Sequence, residues 1–293
     1  MMHFASAINC PPYDKADGFL QITIGCSHGT CKFCSYFKDE FQRLTLEQIE
    51  EDVRQIPETF GAPTRIFLQG ADAYSASYDV LMGTAELLRR YVPSVRSIGG
   101  FARVDSFKDK TIDQLRELNA AGYEDPYFGI ETGCDEVLSK MNKGYTAAEA
   151  REQLEKLEES GMPYVLNYLC GAAGEGKGMQ NARDTAILYD GLHPTMLNMT
   201  MLTVVPQTPL WDMVAAGEFQ EATEMEKLQE TQELLRRLTC ETVFMNEHAS
   251  NVFHIACELP AQRDDAIAHI QSVIDGTDEA TLRRYREEAT KAF

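Results

Sequence analysis

Short apolar segments alternate with amphipathic helices over the first two thirds of this chain, and that alternation limits the folds open to it. The segments predicted to be strands are residues 19–24, 65–68, 95–101, 126–130, 163–169 and 195–205. Helical spacing of apolar residues fills the intervals, with capping boxes at Thr45 and Thr146. This order predicts a parallel sheet with helices outside it.

Six strand–helix units are too few for a closed eight-unit barrel of roughly 250 residues. We therefore predict an α/β fold built as a partial (β/α)6 barrel over residues 19–207. Residues 1–18 form an N-terminal extension with proline breakers, and residues 208–293 form a mostly helical C-terminal region.

The amino-acid composition limits the binding partners and the cellular location that we expect. The 293 residues are 44% apolar, enough for a sizeable core, and 46 acidic against 27 basic residues give a net charge of −19. Such a surface repels phosphate backbones, so we expect no nucleic-acid partner. Residues 1–14 lack a signal-peptide pattern, and no apolar run reaches 18 residues, so we expect no membrane span. Eight cysteines in such a chain predict a reducing, cytoplasmic location.

Three cysteines directly after the first predicted strand are the strongest functional signal. Cys26, Cys31 and Cys34 have the spacing C-x4-C-x2-C. Three thiolates hold three irons of a four-iron cluster and leave one iron open, which favours catalysis over a purely structural role. The alternative is a structural Cys3His zinc site that includes His28. That alternative has no second Cys/His pair at knuckle spacing, and His28 lies inside the loop.

The loop resembles the cluster loop of the radical S-adenosylmethionine (SAM) enzymes, whose usual spacing is C-x3-C-x2-C with an aromatic residue before the last cysteine. Phe33 has that place, and one extra residue separates Cys26 from Cys31. The resemblance implies a [4Fe–4S] cluster whose open iron is chelated by the amino and carboxylate groups of SAM. It also implies a one-electron reductant of the flavodoxin or ferredoxin type, and a 5′-deoxyadenosyl radical that takes hydrogen from a substrate.

Parallel βα folds place their chemistry at the carboxyl ends of the strands. After the second strand, Gly70 and Asp72 resemble the family's Gly-Gly-Glu-type segment, which holds the amino group of SAM. Asp72 would face that cation, although a strand-end turn explains the pattern equally well. After the third strand, Arg103 suits the SAM carboxylate or an acidic substrate. The alternative for Arg103 is an ion pair with Asp105 or Glu131.

The fourth and fifth strand ends carry the remaining cofactor candidates. Glu131 lies in a Gly-Ile-Glu-Thr-Gly segment that resembles one found in many radical SAM branches, and residues 141–144 strengthen the match. By that resemblance Glu131 binds the SAM amine or the ribose hydroxyls. Gly171 and Gly174 would allow backbone to approach adenine. Asn167, inside the fifth strand, would reach the ribose.

The substrate candidates come later in the chain. Gln207 stands where a related Pro-Gly-Thr-Pro segment has glycine, and we expect it to line the substrate end. His248 and Asn251 lie in a polar stretch between apolar flanks. His248 would donate a proton or bind a carboxylate, or it satisfies a buried polar contact. Cys134 and Cys170 fall at strand ends and are candidates for a catalytic radical relay.

The sequence leaves the reaction open. The segment around Glu131 is similar to methylthiotransferases, the elongator catalytic subunit and oxygen-independent coproporphyrinogen oxidases. Because the remaining length is short, we expect no cobalamin, RNA-binding or acetyltransferase domain, and we expect a small-molecule substrate. Two other readings stay open: a non-catalytic iron–sulfur carrier or scaffold, and a zinc-stabilised binding protein.

Overall fold

A computed structural model describes residues 2–5, 8–36 and 38–291. Within these residues the chain forms ten strands. They are β1 (Gly18–Gln21), β2 (Thr23–Ile24), β3 (Gln42–Arg43), β4 (Arg65–Gln69), β5 (Ser97–Ala102), β6 (Tyr123–Glu131), β7 (Val165–Cys170), β8 (Met196–Met201), β9 (Thr242–Met245) and β10 (Ala256–Leu259). Eight of them make one sheet in the order β1-β4-β5-β6-β7-β8-β9-β10, while β2 and β3 pair as a small antiparallel ribbon.

The strand pairing is mainly parallel. Gly18 of β1 lies opposite Ile66 of β4, and Arg65 lies opposite Ser97 of β5. The β5–β6 and β8–β9 pairs are also parallel, whereas β9 and β10 run antiparallel. Because parallel strands share their carboxyl edge, the residues that follow β1, β4 and β5 emerge on one side of the sheet.

Helices fill the intervals between the strands. They are α1 (Leu46–Val53), α2 (Ile56–Phe60), α3 (Tyr78–Tyr91), α4 (Ile112–Ala120), α5 (Asp135–Lys140), α6 (Ala147–Ser160), α7 (Gly178–Tyr189), α8 (Pro209–Ala215), α9 (Glu224–Arg237), α10 (Arg263–Gly276) and α11 (Glu279–Ala289). Both predicted capping boxes are present: Thr45 exchanges hydrogen bonds with Gln48, and Thr146 does so with Glu149. In the described part of the chain, no helix is long and apolar enough to cross a membrane.

The chain divides into two compact units. The first is Met1–Gly29, Tyr36–Gly129 and Gln153–Val165, and the second is Thr30–Ser35, Ile130–Glu152 and Leu166–Phe293. The core of the first unit is aromatic: the ring centroid of Tyr74 lies 5.3 Å from that of Phe107 and 5.9 Å from that of Tyr123.

The second unit has its own apolar cluster beside the cysteine loop. Its buried members are Val137, Met141, Leu169, Ala172, Ala173, Leu202, Leu210 and Phe219, and Phe33 packs against them. This packing ties the end of the cysteine loop to α5, α8 and the carboxyl ends of β7 and β8.

The predicted α/β class with a parallel sheet is confirmed. Each of the six predicted strand segments overlaps a strand of the main sheet. Beyond the prediction, β9 and β10 extend that sheet from within the C-terminal region, which is therefore not purely helical. The proposed domain boundaries at residues 18 and 207 stay a prediction.

Candidate functional site

The three predicted iron ligands lie in the segment that joins β2 to β3. Gly25 and Gly29 have positive φ angles of 68° and 64°, which glycine adopts without the steric cost that other residues incur. Cys26 belongs to the first unit, and Cys31 and Cys34 belong to the second. All three thiols are half-buried and outside any disulfide.

The donor chemistry of this segment fits an iron–sulfur cluster. Within the described ranges, the structure gathers no group of three Cys, His, Asp or Glu side chains into a metal site. The ligand set of Cys26, Cys31 and Cys34 is nevertheless the all-thiolate type that such clusters use. A backbone hydrogen bond of 3.3 Å from the Cys34 N–H to the Cys31 carbonyl folds that end of the loop into a turn. The loop thus offers three reduced thiols.

In the first unit, the turn that follows β4 is bonded to the start of the cysteine loop. The Ala71 N–H donates to the Gly25 carbonyl at 3.0 Å, and the Ser27 hydroxyl donates to Asp72 Oδ2. Gly70, with a φ angle of 108°, lies so close to β2 that an added Cβ would be 2.6 Å from the Thr23 carbonyl oxygen. A side chain at position 70 would therefore force these two segments apart.

Asp72 is fully buried and holds several donors at once. Besides Ser27, its Oδ2 accepts from the Ser106 hydroxyl at 2.6 Å, and its Oδ1 accepts from the Arg103 N–H at 3.0 Å. Burial raises the pKa of Asp72, and the hydrogen bonds from Ser106, Ser27 and Arg103 oppose that rise. The carboxyl group therefore joins the cysteine loop to the segment that follows β5.

Arg103 is buried at the end of β5. Its Nη2 donates to Asp105 Oδ2 at 2.9 Å, which is one of the two ion pairs considered from the sequence. A guanidinium presents five N–H groups in a planar fork whose geometry matches a carboxylate. Arg103 thus has the chemistry that a carboxylate ligand requires, on the same unit as Cys26.

In the second unit, three hydrogen bonds fix the loop around Cys31. The Lys32 N–H donates to the Met141 carbonyl at 3.0 Å, and the Lys32 carbonyl accepts from the Leu210 N–H at 2.9 Å. The Asn142 side chain donates to the Thr30 carbonyl at 2.9 Å. The segments after α5 and before α8 therefore hold the backbone on which Cys31 lies.

Glu131 lies at the carboxyl end of β6 in a left-handed conformation, with φ at 71°. Its carboxylate accepts from Lys143 Nζ at 3.2 Å and from the Asn167 amide at 2.9 Å. Lys143 Nζ also lies 5.8 Å from the ring centroid of Phe33 and 5.7 Å from that of Tyr145. The structure thus brings three predicted residues, Glu131, Asn167 and Phe33, together around a lysine that the sequence analysis did not single out.

A row of amides continues this polar group along the strand ends. Asn198 Nδ2 donates to Asn167 Oδ1 at 2.7 Å, and Asn167 Nδ2 lies 3.4 Å from Thr200 Oγ1. These residues come from β7 and β8, and Asn167 and Asn198 are buried. The site therefore combines one compensated carboxylate with neutral donors and acceptors.

Gly171 follows β7 with a φ angle of 83° and packs against α9. Its N–H donates to Glu230 Oε2 at 3.1 Å, and an added Cβ would be 2.8 Å from Lys227 Cε. Glu230 also accepts from the Tyr168 hydroxyl and from Asn181 Nδ2. Burial raises the pKa of Glu230 to about 7. In this structure α9 sets the position of the Gly171 loop, a role that no local sequence pattern signalled.

The Glu-Thr-Gly segment is anchored to α7. The Thr132 hydroxyl donates to Asn181 Oδ1, and the Gly133 N–H donates to Thr185 Oγ1 at 2.9 Å. A Cβ on Gly133 would be only 2.5 Å from the Asp184 carbonyl oxygen. Close contact with helix backbone therefore requires glycine at position 133.

The two candidate relay cysteines occupy different surroundings. Cys134 is half-buried at the start of α5 and, like Phe33, packs against the apolar cluster. Cys170 has no exposed surface, and its thiol donates to the Lys227 carbonyl at 3.3 Å. Burial raises the pKa of both thiols, which favours their protonated form. A catalytic role for either cysteine stays a prediction.

The predicted substrate residues are spread over two loops of the second unit. Gln207 is exposed, with φ at 66°. The His248 Nδ1 accepts from the Ser250 N–H at 3.1 Å, and burial lowers the pKa of His248, so the neutral ring is favoured. Asn251 is fully buried: its Oδ1 accepts from the Met201 N–H at 2.7 Å, and its amide nitrogen donates to two main-chain carbonyls. Asn251 therefore fastens this loop to the end of β8.

Comparison with known proteins identifies a family for this chain. The family model described as Radical SAM superfamily matches residues 20–179. The chain is 28% identical over 162 residues to tRNA-2-methylthio-N(6)-dimethylallyladenosine synthase from Xanthomonas oryzae pv. oryzae (strain MAFF 311018), covering 50% of this chain and 33% of the relative. It is 23% identical over 201 residues to the heme chaperone HemW of Bacillus subtilis (strain 168), covering 66% of this chain and 52% of HemW.

A solved structure supports the fold. Coproporphyrinogen III oxidase (HemN) from Escherichia coli, a radical SAM enzyme, aligns with a TM-score of 0.56 at 16% identity, covering 74% of this chain and 51% of that one. The chain thus spans between a third and about half of the length of these relatives. Enzymes of the superfamily bind a [4Fe–4S] cluster and SAM, and they need a reductant and a substrate. Because the family model covers more than half of its residues, this chain belongs to the Radical SAM superfamily and is one of its enzymes.

Proposed function

We propose that the chain holds a [4Fe–4S] cluster on Cys26, Cys31 and Cys34 and uses it to cleave SAM reductively, so that hydrogen is taken from a small-molecule substrate. The observation that carries the proposal is the set of three half-buried, unbridged thiols within the residues that match the family. When bound, the cluster supplies the electron that splits the SAM sulfonium bond into methionine and a 5′-deoxyadenosyl radical.

The chain's own residues position the cofactor. Arg103 offers its guanidinium to the SAM carboxylate, since charge-assisted hydrogen bonds of this type are among the strongest. By the same resemblance, Gly70 is proposed to bring the backbone after β4 close to the cofactor. Phe33 supplies an aromatic face next to Cys34. Each of these assignments follows the sequence resemblance.

The polar group of the second unit is proposed to hold the nucleoside. Lys143 compensates the charge of Glu131, and this arrangement favours a neutral hydroxyl partner over an ammonium group. Asn167 adds an amide to the same group, so the set matches the ribose hydroxyls. Gly171 brings the backbone after β7 to the adenine end.

The substrate is proposed to be a small molecule that meets Gln207 and His248, with Asn251 supporting the loop. The methylthiotransferase relative carries tRNA in its name, but this chain spans only 33% of it. A net charge of −19 also disfavours a polyanion. The electron donor is proposed to be a one-electron carrier of the flavodoxin or ferredoxin type, acting in the cytoplasm.

Anaerobic purification tests the proposal. The wild-type protein should contain iron and sulfide, and with SAM and dithionite it should form 5′-deoxyadenosine, measured by chromatography. Cys31→Ala should abolish both, whereas Cys10→Ala, which changes another half-buried cysteine, should retain both. Zinc in place of iron would support a zinc-stabilised binding protein. Iron without any 5′-deoxyadenosine would support a carrier or scaffold.

A further inference from the structure

The turn after β4 bonds to the chain on both sides of Cys26. Before the cysteine, the Gly25 carbonyl accepts from the Ala71 N–H at 3.0 Å. After it, the Ser27 hydroxyl donates to Asp72 Oδ2. Two successive residues of one turn therefore fix the two neighbours of one predicted iron ligand, and all of them lie in the same compact unit.

The carboxylate of Asp72 is already occupied. It has no exposed surface. Its Oδ2 accepts hydrogen bonds from the hydroxyls of Ser27 and Ser106, and its Oδ1 accepts one from the Arg103 N–H. A carboxylate offers about four acceptor positions, so three are in use. Because the side chain has no exposed surface, an ammonium ligand could reach the remaining position only if the residues around it moved.

The second hydroxyl extends the connection to another strand end. Ser106 lies in the short 3-10 helix Val104–Phe107 that follows β5, and the Ser75 hydroxyl donates to the Asp72 carbonyl at 2.7 Å. Asp72 thus joins the cysteine loop to the carboxyl ends of both β4 and β5. Displacement of its side chain would release the hydrogen bonds from Ser27, Ser106 and the Arg103 N–H together.

We infer that Asp72 is a positioning residue that fixes the backbone of Cys26 through Ser27, rather than a ligand of the SAM ammonium group. The inference rests on the proposed function, because it takes Cys26 as an iron ligand. It replaces the role that the family resemblance suggests for this position. A held backbone keeps the thiolate in place, so the cluster is released slowly.

A role in positioning Cys26 and a role in binding the SAM ammonium group predict different results for Ser27→Ala and Asp72→Asn. If Asp72 positions Cys26, each variant should release iron to a chelator about tenfold faster than the wild type, because each loses a charge-assisted hydrogen bond. The double variant should match the more severe single variant, because both changes break one connection. The SAM dissociation constant of the cluster-loaded variants should stay within about twofold of wild type. A tenfold weaker SAM affinity for Asp72→Asn alone, or iron release at the wild-type rate in both variants, would overturn the inference.

Asp17→Asn provides a matched control. Its carboxylate accepts the N–H groups of Thr64 at 2.8 Å and Arg65 at 2.9 Å, at the opposite end of β4. This variant should release iron at the wild-type rate. If Asp72→Asn does not fold, Ser27→Ala carries the test alone, because it removes a single hydroxyl. A wild-type protein that binds no iron would refute the proposed function, whereas iron held equally well by the wild type and the variants would refute only the positioning role.

Discussion

Arg286 on α11 is the centre of a buried charge network, and its removal should be costly. Its Nη1 lies 2.6 Å from Glu224 Oε1 and 2.9 Å from Glu221 Oε1, and its Nη2 donates to the Leu202 carbonyl at the end of β8. Burial opposes the ionisation of Glu221, yet Lys227 and Arg286 lower its pKa to about 2. The network therefore depends on both cations.

Arg286→Met keeps the aliphatic stem and removes the charge. Glu224, which has no exposed surface, would keep Lys227 at 3.3 Å and Arg283 at 3.4 Å as cations but would lose its closest partner. Breaking a buried pair by removing one member costs about 3–5 kcal/mol. Set against a typical unfolding free energy of roughly 5–15 kcal/mol, this is a large share of the total.

Arg283→Met is the matched control, because Arg283 pairs with the same two carboxylates from the same helix. Its distances are 3.2 Å to Glu221 and 3.4 Å to Glu224, but its side chain is 34% exposed against 5% for Arg286. An exposed pair contributes about 0–1 kcal/mol. Urea unfolding followed by circular dichroism should therefore show a large fall in midpoint for Arg286→Met and little change for Arg283→Met, at equal slopes. Equal, small effects in both variants would refute the reasoning.

Three further changes probe other parts of the second unit. Lys143→Met should weaken SAM binding by about tenfold, because Glu131 loses the cation that holds it, while Lys143→Arg should retain affinity. Calorimetric titration of cluster-loaded protein measures both affinities. Unchanged affinity in the methionine variant would contradict the proposed role of Lys143 in positioning Glu131. The pKa of Glu230 is raised from 4.5 to about 7 in the folded state, so the folded chain binds this proton more tightly than the unfolded chain does, and stability should fall as the pH rises through that interval. In thermal melts between about pH 5 and about pH 8, Glu230→Gln should flatten this fall. An identical slope in the variant would rule out Glu230 as its source. Gln207→Gly should raise the unfolding free energy by about 1 kcal/mol, because glycine relieves the left-handed backbone there; a lower melting temperature would count against this account.

The sheet was predictable where apolar runs are bounded by turn residues. Arg65–Gln69 extends the predicted segment by one residue, but β6 begins at Tyr123, three residues before the predicted start. Asp125 followed by a proline is a sequence typical of a turn. In the structure Asp125 is left-handed, yet the strand passes through it. The strands β9 and β10 have four residues each, too short for a period-two pattern to stand out among helices, and their pairing is set by partners distant in the chain.

In the site, too, local sequence patterns pointed to candidate residues but not to their partners, which are distant in the sequence. Cysteine spacing and strand-end positions are local, so the loop and the residues after each strand were identified. The partners of those residues are not local: Ser27 meets Asp72 across 45 positions, and Gly171 meets Glu230 across 59. A hydrogen bond over such a separation leaves no periodic trace in the sequence. Lys143 was overlooked although it lies in a segment that helped to identify the family.

The close approach at Gly133 makes this position sensitive to a single added methyl group. In Gly133→Ala, the new carbon and the Asp184 carbonyl would overlap, so α7 would have to shift outward. That helix carries Asn181, which bonds to both Thr132 and Glu230, and Glu230 in turn holds the Gly171 loop. One added methyl group would thus disturb two strand ends at once, without changing any residue that is proposed to bind the cofactor.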